Sequence, residues 1–337
     1  MNAPPSAPEL SFRPFHEGDQ AAILTLFREV FHVDRSPARW AWEYQQNPYG
    51  NERITLAFDG EGRLGAQHAG YPVRFAGLGP KPVAALHIGD LMSAPWARGI
   101  GRGPTAALAR TAAAFYEQFS VGRVGFHYGF HTASSLGFAL RFMNARKVEP
   151  VTFRVRPVPG RSLAPGLVER LLSGIEVQPV ARFDTRFDEL WQRVRGAYGI
   201  AIERTSTYLN WRYADNPDGA HRAYAVYRRD RLLGWGVFRK QGHRLLWGDA
   251  LFDPAFPGTP ARLLAHVFGT PEAAGTSVIA GWFPPRPAWW DRILLGLDFE
   301  TRPEPDDLHM TVVPFECDPL ERLRAGFYST MGDGDLF

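Results

Sequence analysis

A short glycine-rich stretch in the first third of the chain has the residue types needed to bind an anion. It reads PWARGIGRGPT from Pro95 to Thr105, with three glycines within five residues. Glycine tolerates tight and left-handed backbone, so successive amide groups can point inward as an anion-binding nest. A helix that begins directly afterwards adds partial positive charge, and Arg98 and Arg102 can add charge-assisted bonds to phosphate.

The elements around this stretch place it between a strand and a helix. Val83–Ala94 is predicted to be a long strand, and Gly103–Phe119 a helix with a proline in its first turn. A strand over Val121–Phe130 and a short helix over Ser134–Met143 follow. Earlier strands are predicted at residues 10–15, 54–58 and 64–73. This order predicts an α/β fold, more exactly an α+β mixed sheet.

The chain also repeats itself at nearly half its length of 337 residues. RSPARWAWEYQQNPYG, from Arg35 to Gly50, matches RTSTYLNWRYADNPDG, from Arg204 to Gly219, with six identities at a constant offset. A Gly-Asp pair followed by proline recurs at residues 89–95 and 248–254. Solenoid repeats are much shorter, so the pattern predicts a duplicated domain.

The glycine-rich stretch is not preserved in the second half. After Pro254 the sequence reads AFPGTPA, in which the arginines are gone and two prolines remove amide donors. We therefore expect only the first half to bind a phosphate group in this way.

Taken with their order, these motifs resemble the GNAT superfamily of acyl-coenzyme A N-acyltransferases. Arg98-x-x-Gly101-x-Gly103 after a strand is similar to the coenzyme A pyrophosphate loop of that superfamily. The order of features resembles two-domain bacterial members. The resemblance implies tandem acyl-CoA N-acyltransferase-like domains with a degenerate second copy. The expected boundaries are a flexible N-terminus at 1–9, a coenzyme-binding domain at 10–157, a linker at 158–174, a degenerate domain at 175–316 and a tail at 317–337.

The resemblance implies acetyl-CoA, or another acyl-CoA, as co-substrate and a primary amine of a small molecule or peptide as acceptor. It implies that backbone amides after a strand bulge hold the pantetheine arm and that the loop holds the pyrophosphate. The expected coenzyme-binding residues are Leu91, Met92, Ser93, Arg98, Gly99, Ile100, Gly101, Arg102 and Gly103.

Transfer of an acyl group to an amine needs a base, hydrogen-bond donors for the carbonyl oxygen, and an acid for the leaving thiolate. Asp90 lies on the long strand and is a candidate base, although Asp249 in the second half suggests a structural role. Many family members use a helix tyrosine as acid, but the helix after the fifth strand here has none. Tyr128 and Ser134, or Ser135, are candidate substitutes.

The last ten residues, YSTMGDGDLF, are acidic and rich in glycine, which predicts a frayed end. Two terminal apolar residues suit docking instead, and in duplicated GNAT enzymes of the aminoglycoside-acetylating kind a terminal carboxylate reaches the active site. The carboxylate of Phe337 is therefore a further candidate base.

Composition argues against several other classes of protein. Thirty-five of the 38 basic residues are arginines, scattered among acidic residues rather than clustered, so no nucleic-acid partner is predicted. Cys317 is the single cysteine, and His127 and His131 share a strand face without a third ligand, so no metal site is predicted. No apolar run approaches the length of a membrane helix and the start is not a signal peptide, which predicts a cytoplasmic protein.

Two alternatives remain open from sequence. The protein could bind an acyl-CoA without catalysis, as a sensor or partner-binding module, because the helix tyrosine is missing. Ala133-Ser134-Ser135-Leu136-Gly137 is one glycine short of the nucleophile elbow of serine hydrolases, but the duplication and element order disfavour that fold.

Overall fold

The computed structural model describes residues 9–159, 174–335 and 337. The predicted flexible N-terminus and most of the predicted linker lie outside the described residues. The chain divides into two compact units, each built from segments that are far apart in sequence. The first unit contains residues up to 74, 83–149 and 309–320; the second contains 75–82, 150–308 and 321–337.

The first unit is a mixed sheet with four helices. Its strands are β1 Ser11–Pro14, β2 Arg53–Phe58, β3 Leu64–Ala76, β4 Val83–Ser93, β5 Phe126–His131, β6 Arg146–Pro150 and, from much later in the chain, β15 His309–Pro314. They lie in the order β1-β2-β3-β4-β5-β15-β6. Its helices are α1 Gln20–Phe31, α2 Pro37–Tyr44, α3 Ala107–Phe119 and α4 Ala133–Phe142.

Local sequence explains where these helices begin and which side they bury. Ser36 caps α2 by accepting a hydrogen bond from the amide of Arg39, and proline occupies the first turn. Helix α1 buries Ile23 and Leu26 at helical spacing against a core that includes Ile54. The amphipathic pattern of α1 therefore decides which of its faces is buried.

The second unit has the same kind of architecture. Its strands are β7 Phe153–Pro157, β8 Ile175–Val180, β9 Ala201–Ile202, β10 Arg222–Arg228, β11 Arg231–Gln241, β12 Arg244–Phe252, β13 Val278–Trp282 and β14 Glu300–Arg302. Its main sheet has the order β14-β7-β13-β12-β11-β10-β8. Its helices are α5 Thr185–Tyr198, α6 Ser206–Leu209, α7 Thr259–Val267, α8 Ala288–Gly296 and α9 Leu320–Gly326.

One strand of each main sheet comes from the other half of the sequence. β15 lies antiparallel to β5, with His309 opposite His131, and separates β5 from β6. β7 lies in the matching place in the second unit, between β13 and β14. Residues 153–157 and 309–314 lie at the ends of the expected domains 10–157 and 175–316, yet each joins the sheet formed mainly by the other half of the chain. Short-range sequence patterns do not predict which sheet such a segment joins.

In each unit a pair of parallel strands runs together only briefly. β4 and β5 pair over three positions, from Ala85 opposite Phe126 to His87 opposite Tyr128. β12 and β13 also pair over three positions, 244–246 with 278–280. Beyond these positions no further residue pairs join the described parts of these strands, and this unpaired region of each sheet is called the gap.

The observed fold is of the predicted class, an α/β chain with two mixed sheets. Two predicted boundaries are wrong. Helix α3 begins at Ala107 because Gly103–Thr105 forms a separate 3-10 turn. Strand β5 begins at Phe126 because the residues before it form a turn in which the amides of Arg123 and Val124 bond to the Ser120 carbonyl.

Candidate active site

The glycine-rich stretch forms a compact loop between β4 and α3. Pro95–Ala97 makes a 3-10 turn, and Gly103–Thr105 makes a second one just before the helix. The loop is held from within, because the amide of Ile100 bonds to Ala97 O and the amide of Ala107 bonds to Ile100 O. The amide of Arg102 bonds to the hydroxyl of Thr105. These contacts fix the loop before any ligand binds.

The amides of the three glycines are available to a ligand. Within the described part of the chain, the amides of Gly99, Gly101 and Gly103 donate no hydrogen bond, while those between them do. Gly101 and Gly103 have φ values of 71° and 57°, in the left-handed region. A Cβ at Gly101 would lie 2.0 Å from Thr105 O, so only glycine fits there. Three unbonded amides in a loop before a helix give an anion three backbone donors near a helix N-terminus, and we call this group of amides the nest.

The two loop arginines add positive charge beside this nest. Both Arg98 and Arg102 are exposed, and Arg98 Nε donates to Ser93 O at 3.3 Å, which lays its side chain along the end of β4. Helix α4 borders the same loop, because the ring of Phe142 lies 3.3 Å from where a Cβ on Gly103 would be. The loop residues predicted from sequence therefore lie together.

The predicted pantetheine-binding residues line the unpaired part of β4. Met92 is 1% exposed and its side chain belongs to the core, while Leu91 and Ser93 are half-buried. The amide of Ala94, just after them, bonds to Gly65 O. A ligand in the gap would meet the main chain of this segment rather than the side chain of Met92.

Asp90 is committed to an ion pair. Its carboxylate accepts hydrogen bonds from both terminal nitrogens of Arg35 and, at 2.8 Å, from the hydroxyl of Tyr44. Burial and the nearby carboxylates raise the pKa of Tyr44, while those carboxylates hold Arg35 charged. The backbone of Asp90 has a φ of 50°, an unusual value for a non-glycine residue in a strand. These contacts tie α2 to β4 and favour a structural part for Asp90.

Tyr128 and Ser134 lie in different surroundings, the first on strand β5 and the second on helix α4. Tyr128 is 1% exposed and its ring packs edge-on against His87 and close to Phe130. Ser134 is exposed in the first turn of α4, where its hydroxyl lies 2.9 Å from Thr132 Oγ1. The structure therefore does not bring these two candidate acids together.

A histidine-lined cavity that the sequence did not predict lies where β4 and β5 separate. Its lining includes His68, Ile88, His127, Gly129 and His131. His68 is fully buried and neither ring nitrogen has a hydrogen-bond partner, so burial lowers its pKa to about 3. Burial also lowers the pKa of His127. The four-residue spacing of His127 and His131 predicts that both lie on the same face of a strand. No sequence pattern predicts that His68 lies beside them.

The C-terminal segment is buried in the second unit. Arg212 donates to the carbonyl oxygens of Gly332 and Gly334 and to a carboxylate oxygen of Phe337. The ring of Phe337 covers Gly248, where a Cβ would lie 2.0 Å from it. The prediction of a frayed end is wrong, because these backbone carbonyls are paired and Phe337 is only 2% exposed.

The second unit contains an ion pair like that of the first unit, and the C-terminal tail adds a second carboxylate to it. Arg204 bonds to Asp249, whose other oxygen accepts from Tyr213 at 2.8 Å, as Tyr44 bonds to Asp90. Asp333 of the tail adds a second carboxylate to Arg204. Burial raises the pKa of Asp333 to about 6 despite this arginine. Both halves of the chain therefore contain an Arg–Asp–Tyr group with the same pattern of bonds.

In the second unit a carboxylate, that of Asp253, lies at the start of the turn that follows β12. Asp253 accepts from the amide of Ala255 and from Arg193 and Arg231. Although burial opposes the charge, these hydrogen bonds hold the pKa of Asp253 below its usual value. A fixed negative charge and consumed amides make this turn unsuited to a pyrophosphate.

Residues 9–159, 174–335 and 337 contain neither a cluster of metal-ligating side chains nor a membrane-spanning helix. No cluster of three or more histidine, cysteine or carboxylate side chains could hold a metal ion there. No helix in those ranges is both long and apolar enough to cross a membrane.

The family model for an acetyltransferase (GNAT) domain matches residues 11–122, which contain the loop and the strand before it. This match identifies residues 11–122 as a GNAT domain. Solved GNAT-type structures share the fold of this chain. A probable N-acyltransferase from Enterococcus faecalis V583 is 13% identical with a TM-score of 0.63, over 91% of this chain and 73% of its own. A GCN5-related N-acetyltransferase from Kribbella flavida is 13% identical with a TM-score of 0.65, over 93% and 73%.

An N-myristoyltransferase solved with bound myristoyl-CoA also shares the fold. This protein, from Saccharomyces cerevisiae, is 12% identical with a TM-score of 0.59, over 94% of this chain and 82% of its own. No curated protein matches the chain in sequence. At such identities these neighbours establish the fold alone.

Proposed function

We propose that the first unit binds one acyl-CoA, with acetyl-CoA as the simplest donor, and transfers the acyl group to a primary amine of a small molecule or peptide. The observation that carries this proposal is the set of unbonded amides of Gly99, Gly101 and Gly103, flanked by Arg98 and Arg102. Pyrophosphate is the part of coenzyme A that such a nest recognises. The adjoining gap between β4 and β5 gives the pantetheine arm a path along residues 91–93.

The proposal predicts one coenzyme site per chain. The second unit has a charged carboxylate, Asp253, where the nest would be, and Phe337 lies against Gly248 in its own β12–β13 region. Calorimetric titration with coenzyme A should give a stoichiometry of one. Two equivalent sites, or none, would contradict the proposal.

The reaction itself is direct attack of the amine on the thioester carbonyl. Thiol release from acetyl-CoA, followed over a panel of small amines and peptides, measures it. Turnover with at least one amine, and formation of the matching amide by mass spectrometry, is the expected result.

The main alternative is a module that binds an acyl-CoA without turning it over. The observation that favours it is the commitment of Asp90 to Arg35 and Tyr44, together with phenylalanines, Phe138 and Phe142, in α4 where many relatives have a tyrosine. Tight coenzyme binding with no thiol release over the whole amine panel would favour this alternative. Covalent labelling of Ser134 or Ser135 by a fluorophosphonate would instead favour a serine hydrolase.

A further inference from the structure

The transfer needs a group that takes a proton from the attacking amine and returns one to the leaving thiolate. We propose that His131 does both, an inference that rests on the proposed N-acyltransferase function. Three of the groups considered from sequence are engaged elsewhere: Asp90 is ion-paired, the ring of Tyr128 is buried against His87, and Phe337 is held by Arg212.

His131 lies at the edge of the gap in which the thioester is expected. β5 stops pairing with β4 after Tyr128, and His131 is three residues further along the strand. Alternation along a strand places His131 on the same face as His127, and both line the cavity with Ile88 and Gly129. His131 is half-buried, whereas His127 is 1% exposed, so His131 is the one open to a ligand.

The distance between His131 and the anion loop suits the coenzyme. Helix α4 connects the two, since it begins at Ala133 beside His131 and ends at Phe142 against Gly103. Ten helical residues span about 15 Å. An extended pantetheine arm has a comparable length, so a pyrophosphate at the loop would place the sulfur near His131.

Hydrogen bonding assigns the ring nitrogens of His131 to different tasks. Ser135 Oγ lies 3.4 Å from Nδ1 of His131 and already donates to Thr132 O at 3.2 Å. With the hydroxyl proton so used, the hydroxyl oxygen accepts from Nδ1, and we assign proton exchange to Nε2. The other titratable groups on the elements around His131 are His68 and His127 behind it, Tyr116 on α3, Tyr128 on its own strand and His309 opposite it on β15.

The step balances without a further reactant. The amine nitrogen attacks the thioester carbonyl carbon, the C–N bond forms, and one amine proton passes to Nε2 of His131. The C–S bond then breaks, and the imidazolium gives that proton to the thiolate sulfur. The products are an amide and free coenzyme A, and His131 returns to its neutral form.

The test compares His131→Gln with His16→Gln, a matched loss of an exposed histidine in the same unit. With acetyl-CoA and the best amine, His131→Gln should lower kcat by about 100-fold or more, with little change in KM or in calorimetric coenzyme affinity. With an acetyl thioester of p-nitrothiophenol, whose thiolate leaves without a proton, the loss should fall below about tenfold. The acidic limb of the wild-type pH profile should disappear in this variant.

Three results would overturn the inference. His131→Gln could retain kcat within about twofold, or it could lose activity equally with both donors while keeping the wild-type pH profile. Either result with an active wild-type protein rejects the role of His131 alone. If the wild-type protein binds coenzyme A but releases no thiol with any amine, the proposed function fails and this inference fails with it.

Discussion

At the scale of single residues, burial and pairing separate structural groups from chemical ones. Asp90 and Asp249 each bond to an arginine and a tyrosine, which explains why Gly-Asp recurs in both halves. His68 differs, because it is buried with both ring nitrogens unpartnered. Such a group costs stability whenever it must take up a proton.

His68 should make the protein sensitive to acid. The pKa of His68 is about 3 in the folded state, below the usual value of about 6.5, so stability is fully present above pH 6.5 and lost as the pH falls. At about 1.4 kcal/mol per pH unit, the contribution lost between pH 7 and pH 4.5 is about 2.5 kcal/mol. Urea unfolding of the wild-type protein and of His68→Phe at both pH values measures it. A wild-type pH dependence that His68→Phe leaves intact would assign the acid sensitivity to other groups.

At the scale of elements, the shape of the loop between β4 and α3 depends on its backbone conformation and not on its arginines alone. The amide of Ala107 reaches back to Ile100, so the loop closes on itself and directs the glycine amides outward. The glycine-rich stretch itself is visible in the sequence. The sequence did not predict that Gly103–Thr105 turns separately from the helix, because local propensity does not distinguish a short 3-10 turn from a first helical turn.

Two glycines of the loop give a matched pair of variants. In Gly101→Ala the new Cβ meets Thr105 O at 2.0 Å and the residue must adopt a φ of 71°, so the nest should distort. Gly99→Ala meets nothing within 4 Å and keeps its amide in place. Calorimetry should show coenzyme affinity reduced by more than about tenfold in Gly101→Ala, or about 1.4 kcal/mol, and nearly unchanged in Gly99→Ala. Equal affinity in both variants would mean that the loop does not hold the phosphates.

At the scale of the whole molecule, long-range connections hold each unit together. The exchange of β7 and β15 means that each sheet needs a strand from the other half of the chain. The second unit also depends on the tail, whose Asp333 lies on the buried Arg204.

Removal of Arg204 should destabilise the protein far more than removal of an exposed arginine. Arg204→Met leaves Asp249 and Asp333 buried without their counter-ion, and such losses cost about 3–5 kcal/mol. Arg186→Met removes an arginine that is 42% exposed and pairs with Asp184, and should cost about 0–1 kcal/mol. Chemical denaturation at pH 7.5 compares the two. Similar losses would show that the buried network contributes no more than a surface pair.

A chain that ends at residue 308 should lose structure in both units. It lacks β15, so no strand separates β5 from β6, and it lacks the tail that covers Gly248. Circular dichroism and limited proteolysis should show an unfolded or partly folded chain, and an added peptide of residues 309–337 should restore protection. A shortened chain that resists protease as the full chain does would mean that β15 is dispensable.

The sequence by itself predicted the similarity between the two halves, several helices and strands of the first half, and the glycine-rich loop, because each depends on local periodicity or on a short motif. It could not determine which groups meet across long separations. Arg35 and Asp90 are 55 residues apart, and Arg204 and Asp333 are 129 apart. The histidine cavity, the strand exchange and the burial of the tail likewise arise only when distant segments pack together. Only the tertiary structure could therefore decide that Asp90 is paired and that His131 stands at the gap between β4 and β5.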